Sequence, residues 1–256
     1  MNSIRQDQGR MIHIDGIDGS GKSTLLNAAL AWATAQGFST FDVVEWSKRE
    51  HRLPTLEDIG DVDVLFTAEP THAGIGDVIR NEIIRDGSPY DARFTAQAFA
   101  LDRGVQYRRL ILPFLQSRPG RWVIQDRGLS TSLAYQPLQS ERDTADPVQH
   151  VTLDWLLTHD GNQIAYNAPP DVFVLVDIDP SVALARLANR TEKFDNHLYE
   201  KEDFQIALAE RYKRPDFHTK LTSQGTEFVI IDGGKTKEEV AEDMRNVLSQ
   251  LAHKPE

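Results

Sequence analysis

The sequence predicts an α/β protein built on a doubly wound parallel sheet of five strands, with helices on both faces and a short mobile lid. Short apolar runs alternate with longer segments whose apolar residues recur at helical spacing, which is typical of a parallel sheet covered by helices. The first apolar run leads straight into a glycine-rich turn and then into a helical pattern.

Each element has its own signal. The strand candidates are 11–15, 40–44, 64–67, 122–125, 172–176 and 228–231, and we expect about five of them to form the sheet. The helical patterns lie at 22–36, 75–85, 91–115, 180–188, 201–221 and 237–251. The last pattern is the cleanest, with one apolar stripe formed by Val240, Met244, Val247, Leu248 and Leu251.

The chain is expected to form one domain over residues 11–256, preceded by a polar tail at 1–10. Two polar, proline-containing stretches, 45–63 and 137–147, interrupt the strand–helix alternation. Because the alternation resumes after each stretch, we interpret both as surface insertions rather than linkers. The lid is expected at about 187–200.

Composition excludes several classes of protein. The chain has no cysteine, so disulfides, thiolate zinc sites and cysteine nucleophiles are absent. A formal net charge of −11 argues against a nucleic-acid partner, which needs a basic face. The opening residues lack the apolar run of a signal peptide, and no stretch approaches about 18 unbroken apolar residues. We therefore expect a cytoplasmic protein without a membrane partner.

The glycine-rich turn matches the phosphate-binding loop G-x-x-x-x-G-K-[ST] in full, between a strand and a helix. Its glycines let backbone N–H groups converge on one anion at the helix N-terminus. Lys22 would reach the β- and γ-phosphates of ATP, and the hydroxyl of Ser23 would bind Mg²⁺. The alternative is an incidental turn. The predicted ATP-binding residues are Gly16, Ile17, Asp18, Gly19, Ser20, Gly21, Lys22, Ser23 and Thr24.

Four further motifs follow this loop in order. They are Thr67-Ala68-Glu69-Pro70, the pair Phe99 and Arg103, Asp126-Arg127 with the later Ser132-Leu-Ala-Tyr135-Gln136, and Pro170-Asp171 before a strand that ends at Asp177. Together with the loop they resemble the motifs of thymidylate kinases over almost the whole length from residue 11. The resemblance implies a kinase that transfers a phosphoryl group from ATP to dTMP in dTTP biosynthesis, with Mg²⁺ as cofactor and a homodimeric state.

Phe99 and Arg103 are four residues apart, so they project from one face of a helix. The ring can stack on a pyrimidine while the guanidinium donates to its 4-carbonyl, which suits thymine better than cytosine. The alternative is that Phe99 belongs to the core and Arg103 pairs with a surface acid.

Asp126 and Arg127 close an apolar strand at its C-terminal end, where ligands bind to open parallel sheets. Arg127 would hold the monophosphate of the acceptor, and Asp126 would lie near Mg²⁺ or its waters. The alternative is a structural salt bridge at the end of the strand.

The resemblance implies further contacts with the acceptor. Tyr135 lies where a ribose 2′-hydroxyl would clash, and Asp18 would reach the 3′-hydroxyl unless it only solvates the turn. The other implied contacts are Glu69, Ser132, Gln136 and Tyr199. In the lid, Arg190 is expected to contact ATP as a catalytic residue together with Lys22 and Arg127; the alternative is a solvated helix end.

The chain departs from the family pattern at five positions: Ala68 and Gly128 replace an arginine and a tyrosine, Ser130 replaces an acid, and Asn196 and Leu198 stand where arginines are frequent. These changes leave other functions open. One alternative is a kinase for dUMP or a 5-modified dUMP, and another is a deoxynucleoside kinase. A third is a P-loop ATPase or switch that transfers the phosphoryl group to water.

Overall fold

The computed structural model describes residues 9–189 and 201–254, and six strands in them form one parallel sheet. The strands are β1 Arg10–Asp15, β2 Thr40–Asp42, β3 Val64–Ala68, β4 Trp122–Asp126, β5 Val172–Asp177 and β6 Glu227–Asp232. Their order across the sheet is β2-β3-β4-β1-β5-β6. The predicted doubly wound parallel fold is confirmed, but the predicted number of five strands is wrong.

β2 is the shortest strand and lies at one edge of the sheet. Only three residues pair with β3, in register from Thr40 opposite Val64 to Asp42 opposite Phe66. The strand ends there because the side chain of Asp42 accepts from the backbone N–H of Glu45 and starts a helix, as an N-cap residue does. The predicted strand at 40–44 therefore loses its last two residues to that helix.

Helices connect the strands. They are α1 Lys22–Ala35, α2 Val43–Glu50, α3 Leu56–Ile59, α4 Ile75–Val78, α5 Ala92–Gln106, α6 Leu112–Ser117, α7 Leu129–Asp143, α8 Leu153–Leu156, α9 Asp160–Asn167, α10 Pro180–Ala188, α11 Glu202–Tyr212, α12 Pro215–Thr222 and α13 Lys237–Ala252. Wider turns at Ile79–Ile83 and Tyr107–Ile111 continue α4 and α5, and Pro147–Gln149 forms a tight turn. Among the described residues, no helix is long and apolar enough to cross a membrane.

The two faces of the sheet bury separate cores because successive strand residues point to opposite sides. On one face, Ile12 and Ile14 of β1 lie under α1 and α13, in a core that includes Trp32 and Met244. On the other face, Met11 packs in a larger core with residues of α5, α7 and α11. Arg10 already pairs with Trp122 in the sheet, so the predicted tail at 1–10 extends too far.

The predicted surface insertion at 137–147 is wrong in its first half. Helix α7 continues through Pro137 to Asp143, and residues 137–140 are buried. A proline forfeits one helical hydrogen bond without forbidding the helix, and burial of its neighbours compensates here. The segment 45–63 contains the rest of α2 and all of α3, and Leu53 and Ile59 anchor it in the core.

Proline also explains the division of the helix predicted at 201–221. Helix α11 ends at Tyr212 and α12 begins at Pro215, which suits the first position of a helix but not its interior. All strands run in one direction, so the C-terminal ends of β1, β3 and β4 meet at one edge of the sheet. The phosphate-loop motif, Glu69 and Arg127 follow these three ends and are thereby brought together.

Candidate functional site

The phosphate-binding loop joins β1 to α1 and depends on glycine for its shape. Gly19 has a φ of 79°, and a Cβ at this position would meet the backbone oxygen of Ala183 at 2.3 Å. Gly16 has a φ of 148°, and its Cβ would lie 2.6 Å from the backbone oxygen of Val176. The loop therefore turns tightly against β5 and α10 and presents its backbone to the start of α1.

The ammonium group of Lys22 lies inside this loop. Its Nζ donates to the backbone oxygens of Gly16 and Ile17, both at 3.0 Å, and lies 3.8 Å from Asp18 Oδ1. Burial is the main cause that lowers the pKa of Lys22, and Arg127 adds to the effect. Ser20 and Ile17 are buried, so they contribute to the loop through the backbone.

One cleft of about 1220 Å³ runs from this loop to the helices α5 and α7. Of the predicted ATP-binding residues, those that line it are Asp18, Gly19, Gly21, Lys22 and Ser23. Of the predicted acceptor-site residues, those that line it are Asp18, Glu69, Phe99, Arg127, Tyr135 and Gln136. The donor and acceptor sites predicted separately are thus parts of a single space, with Asp126 on its wall.

Arg127 lies between the two parts of the cleft, in the left-handed region with a φ of 65°. Its Nη1 donates to the Oη of Tyr135 at 3.0 Å and lies 3.4 Å from Asp15 Oδ1. Its Nη2 donates to Asp18 Oδ1 at 2.5 Å. The guanidinium is therefore held from three sides while its side chain remains 16% exposed to the cleft.

Asp15 is buried at the end of β1 and serves as the shared acceptor beneath Arg127. It accepts from the hydroxyls of Ser130 and Thr131, both at 2.7 Å, and from Tyr212 at 2.8 Å. Ser130, which departs from the family pattern, therefore has a structural partner in this chain. Gly128 is also explained locally, because a Cβ there would come within 2.8 Å of His13 Nδ1.

The residues predicted to hold Mg²⁺ fit that ion chemically. Asp126 Oδ1 is buried and has no hydrogen-bond partner among the described residues, although the side chain lines the cleft. Burial raises the pKa of Asp126, and the charges of Lys22 and Arg127 oppose the rise only in part. A carboxylate oxygen and the hydroxyl of Ser23 on one cleft are oxygen donors of the kind that Mg²⁺ prefers.

The far wall of the cleft contains Phe99, which is 5% exposed, and Gln136, which is fully buried. Both polar atoms of the Gln136 amide lack a partner in the part of the chain that the structure describes. A buried amide without partners is costly, so this one is available to a bound molecule. It offers one donor and one acceptor beside an aromatic ring.

The structure does not bring Arg103 into the cleft. The side chain is wholly enclosed and donates to Glu69 Oε2 at 2.6 Å, to the Oγ of Ser132 at 3.0 Å and to the backbone oxygen of Gly128 at 3.1 Å. A further bond joins it to Asn162. Arg103 and Ser132 are therefore buried outside the cleft lining, and Arg103 contacts that lining through Glu69. Two partners are predicted for Arg103: the 4-carbonyl of a pyrimidine or an acidic side chain on the surface. In the structure its partner is a buried acid, Glu69.

Arg80 was missed by the sequence analysis and lines the cleft. Its guanidinium donates to the backbone oxygens of Thr71, at 3.2 Å, and Pro70. Asp102 fixes this turn by accepting from the backbone N–H and the hydroxyl of Thr71, both at 2.7 Å. The available signal was an arginine on the first helical pattern after Glu69-Pro70. Arg190 and Tyr199 lie outside the described residues.

Comparison of the sequence with known proteins identifies similar proteins over most of the chain. A model of the thymidylate kinase family matches residues 55–244, which is more than half of the chain. A probable thymidylate kinase of Methanococcoides burtonii is 28% identical over 95% of this chain and 98% of its own length. A thymidylate kinase of Halorhodospira halophila is 28% identical over 96% of both chains. This chain therefore belongs to the thymidylate kinase family.

Proposed function

We propose that this protein transfers the terminal phosphoryl group of ATP to dTMP and so supplies dTDP for dTTP biosynthesis. Relatives that cover nearly the whole chain are named thymidylate kinases, which supports this assignment. The observation that carries it is the single cleft, which contains both the ammonium group of Lys22 and the amide of Gln136, an amide without a partner among the residues that the structure describes. A donor phosphate and a pyrimidine nucleotide fit these two groups.

The phosphate end of the cleft acts by position and charge. The loop backbone and Lys22 would bind the β- and γ-phosphates, while Arg127 and Arg80 would bind the phosphate of the acceptor. Ser23 and Asp126 would hold Mg²⁺, which neutralises charge on the phosphates when it is bound. These cations attract the phosphates locally, which offsets the long-range repulsion of phosphates by the net charge of −11.

The base end of the cleft supports a pyrimidine acceptor. Phe99 offers a ring face, and the amide of Gln136 can donate to the 4-carbonyl of thymine while it accepts from N3–H. Arg103 does not line the cleft and acts through its contacts with Glu69 and the hydroxyl of Ser132. Tyr135 would exclude a 2′-hydroxyl, and Asp18 would accept from the 3′-hydroxyl. Arg190 and Tyr199 keep their proposed roles at ATP and at the acceptor.

A homodimer is part of the proposal. Helix α5 exposes Phe94 and Leu101, at 48% and 60%, and their seven-residue spacing places them on one helix face. Burial of such side chains against a second copy would remove apolar surface from water. Light scattering on the purified protein tests this proposal: we expect the mass of a dimer, and Leu101→Glu should shift the population toward monomer.

An acceptor panel tests the catalytic proposal. ADP release from ATP and Mg²⁺ is followed with dTMP, dUMP, a 5-modified dUMP, dCMP, thymidine, or no acceptor. We expect the highest kcat/KM with dTMP and negligible turnover without an acceptor. Faster turnover of thymidine than of dTMP would indicate a nucleoside kinase, and equal ADP release with and without acceptors would indicate an ATPase; either result would contradict the proposal.

A further inference from the structure

Helix α11 presents two polar side chains, seven residues apart on one face, to the acids around the phosphate-binding loop. Gln205 is fully buried; its Oε1 accepts from the backbone N–H of Asp18 at 3.0 Å, and its Nε2 donates to Asp18 Oδ2 at 3.3 Å. Tyr212 donates to Asp15 Oδ1 at 2.8 Å. One helix therefore contacts both acids that hold Arg127.

Asp18 contacts both the amide of Gln205 and the guanidinium of Arg127. Asp18 directs Oδ2 to Gln205 and Oδ1 to Arg127 Nη2, so the two neighbours together fix the plane of its carboxylate. Gln205 also binds the backbone N–H of the same residue, which ties that plane to the loop. A carboxylate fixed in this way limits the directions from which the guanidinium can donate.

We propose that Gln205 is a positioning residue for the acceptor phosphate, acting through Asp18 on the guanidinium of Arg127. The inference rests on the proposed function, because it assigns the acceptor phosphate to Arg127. An amide is required at this position, since it accepts from a backbone N–H and donates to a carboxylate at the same time. Glutamate would retain the first contact and would set two carboxylates against each other in the second.

The test compares Gln205→Glu and Gln205→Met with the wild type between about pH 5.5 and about pH 8, with ATP and dTMP varied separately. At the upper pH we expect Gln205→Glu to raise the KM for dTMP about tenfold, while the KM for ATP changes less than about twofold. As the pH falls, the KM for dTMP of Gln205→Glu should approach that of the wild type. The reason is that a protonated glutamate donates a hydrogen bond as the amide does, and the neighbouring carboxylate of Asp18 raises the pKa of that glutamate. Gln205→Met should show the same loss at every pH. Gln163→Glu, on the exposed surface of α9, is the matched control and should behave as the wild type.

A second readout does not depend on turnover. In ¹⁵N spectra of the proteins without nucleotide, the side-chain N–H resonance of Arg127 should move with pH in Gln205→Glu and remain still in the wild type and in Gln163→Glu. If Gln205→Glu fails to fold, Gln205→Met carries the test and should raise the KM for dTMP about tenfold. The proposal would be overturned if neither the Arg127 resonance nor the KM for dTMP changes on substitution of Gln205. Absence of dTMP turnover in the wild type would count against the proposed function alone.

Discussion

Arg103 and Glu69 form an ion pair of 2.6 Å in which Glu69 lines the cleft and Arg103 does not, with side chains that are 0% and 3% exposed. Burial raises the pKa of Glu69, and the positive charge of Arg103 opposes that rise. The carboxylate also accepts from Gln125 at 3.1 Å. The pair therefore joins the residue after β3 to the last turn of α5, the helix that also contains Phe99.

Removal of one partner from this pair should cost stability. We expect Arg103→Met to lower the free energy of unfolding by about 3 to 5 kcal/mol, because it leaves Glu69 buried without its counter-charge. The double variant Arg103→Met with Glu69→Gln should recover most of the loss, since neither buried charge remains. Urea unfolding of the three proteins measures this, and a double variant no more stable than the single one would contradict it.

The same variants test the base preference. The wild type should phosphorylate dTMP and dUMP ahead of dCMP. If Arg103 acts from outside the cleft lining, the folded double variant should keep this order while its kcat/KM falls. A reversed order in favour of dCMP would show that the guanidinium contacts the base directly.

Lys22 and Arg127 should each be essential for catalysis. We expect Lys22→Ala and Arg127→Ala to lower kcat/KM at least about a hundredfold, or about 2.7 kcal/mol of transition-state stabilisation, because each removes a charge aimed at a phosphate. Steady-state kinetics with ATP and dTMP measures the effect. Lys237→Ala, on the exposed first turn of α13 and outside the cleft, is the control and should stay near the wild type. Near-normal turnover by a folded Lys22→Ala protein would contradict the assignment.

Gln136 should matter for binding the base and not for folding. Gln136→Leu deletes, at similar volume, two amide atoms that have no partner within residues 9–189 and 201–254, so we expect kcat/KM for dTMP to fall at least about tenfold. The free energy of unfolding without nucleotide should stay the same or rise, since a buried amide without partners is removed. Chemical unfolding and kinetics on the same preparation measure both quantities. Loss of stability with unchanged kinetics would mean that Gln136 is a packing residue.

Tyr135 combines a ring with a hydroxyl that accepts from Arg127, and two substitutions separate their roles. Tyr135→Phe keeps the ring and should retain the preference for a deoxy sugar, with a smaller kcat/KM. Tyr135→Ala opens the space beside the sugar and should narrow the gap between dTMP and its ribonucleotide counterpart. The ratio of kcat/KM for the two acceptors is the measurement. An equal ratio in all three proteins would exclude Tyr135 from sugar selection.

The affinity for Mg²⁺ should depend on pH because of Asp126. Burial raises the pKa of this carboxyl, and only the deprotonated form binds the ion, so the affinity for Mg²⁺ should decrease as pH falls through the raised pKa. The midpoint should lie above about 3.9, the ordinary value for aspartate. Titration of activity with Mg²⁺ at several pH values measures this. Protonation of ATP affects the wild type and Asp126→Asn equally, so the variant serves as the control. The part of the pH dependence of Mg²⁺ affinity that comes from Asp126 should be absent from Asp126→Asn.

The sequence was sufficient to predict the parallel fold and the phosphate loop because both depend on local signals. Glycine spacing, apolar runs and proline positions determine them within a few residues. Each of the six strands lies in a segment that the sequence predicts as a strand, so only the predicted number of five is wrong.

The acceptor site was less predictable because its contacts join distant segments. Helical spacing correctly places Phe99 on the cleft, yet it cannot show that Glu69, Ser132 and Asn162 enclose Arg103. Arg80 is held at the cleft by hydrogen bonds to the backbone of a turn, and that turn is fixed by the contact between Asp102 and Thr71. Pro137 favours a surface segment when only its neighbours in sequence are considered, but the packing around α7 overrides that local preference.

The shortness of β2 also affects how the protein meets other chains. An edge strand exposes backbone N–H and C=O groups that can pair with a strand from another molecule and begin aggregation. Here that edge is three residues long, and the chain turns into α2 as soon as Asp42 is reached. A passing strand therefore finds too few free backbone groups to form a stable ladder, and the sheet is protected from growing at this side.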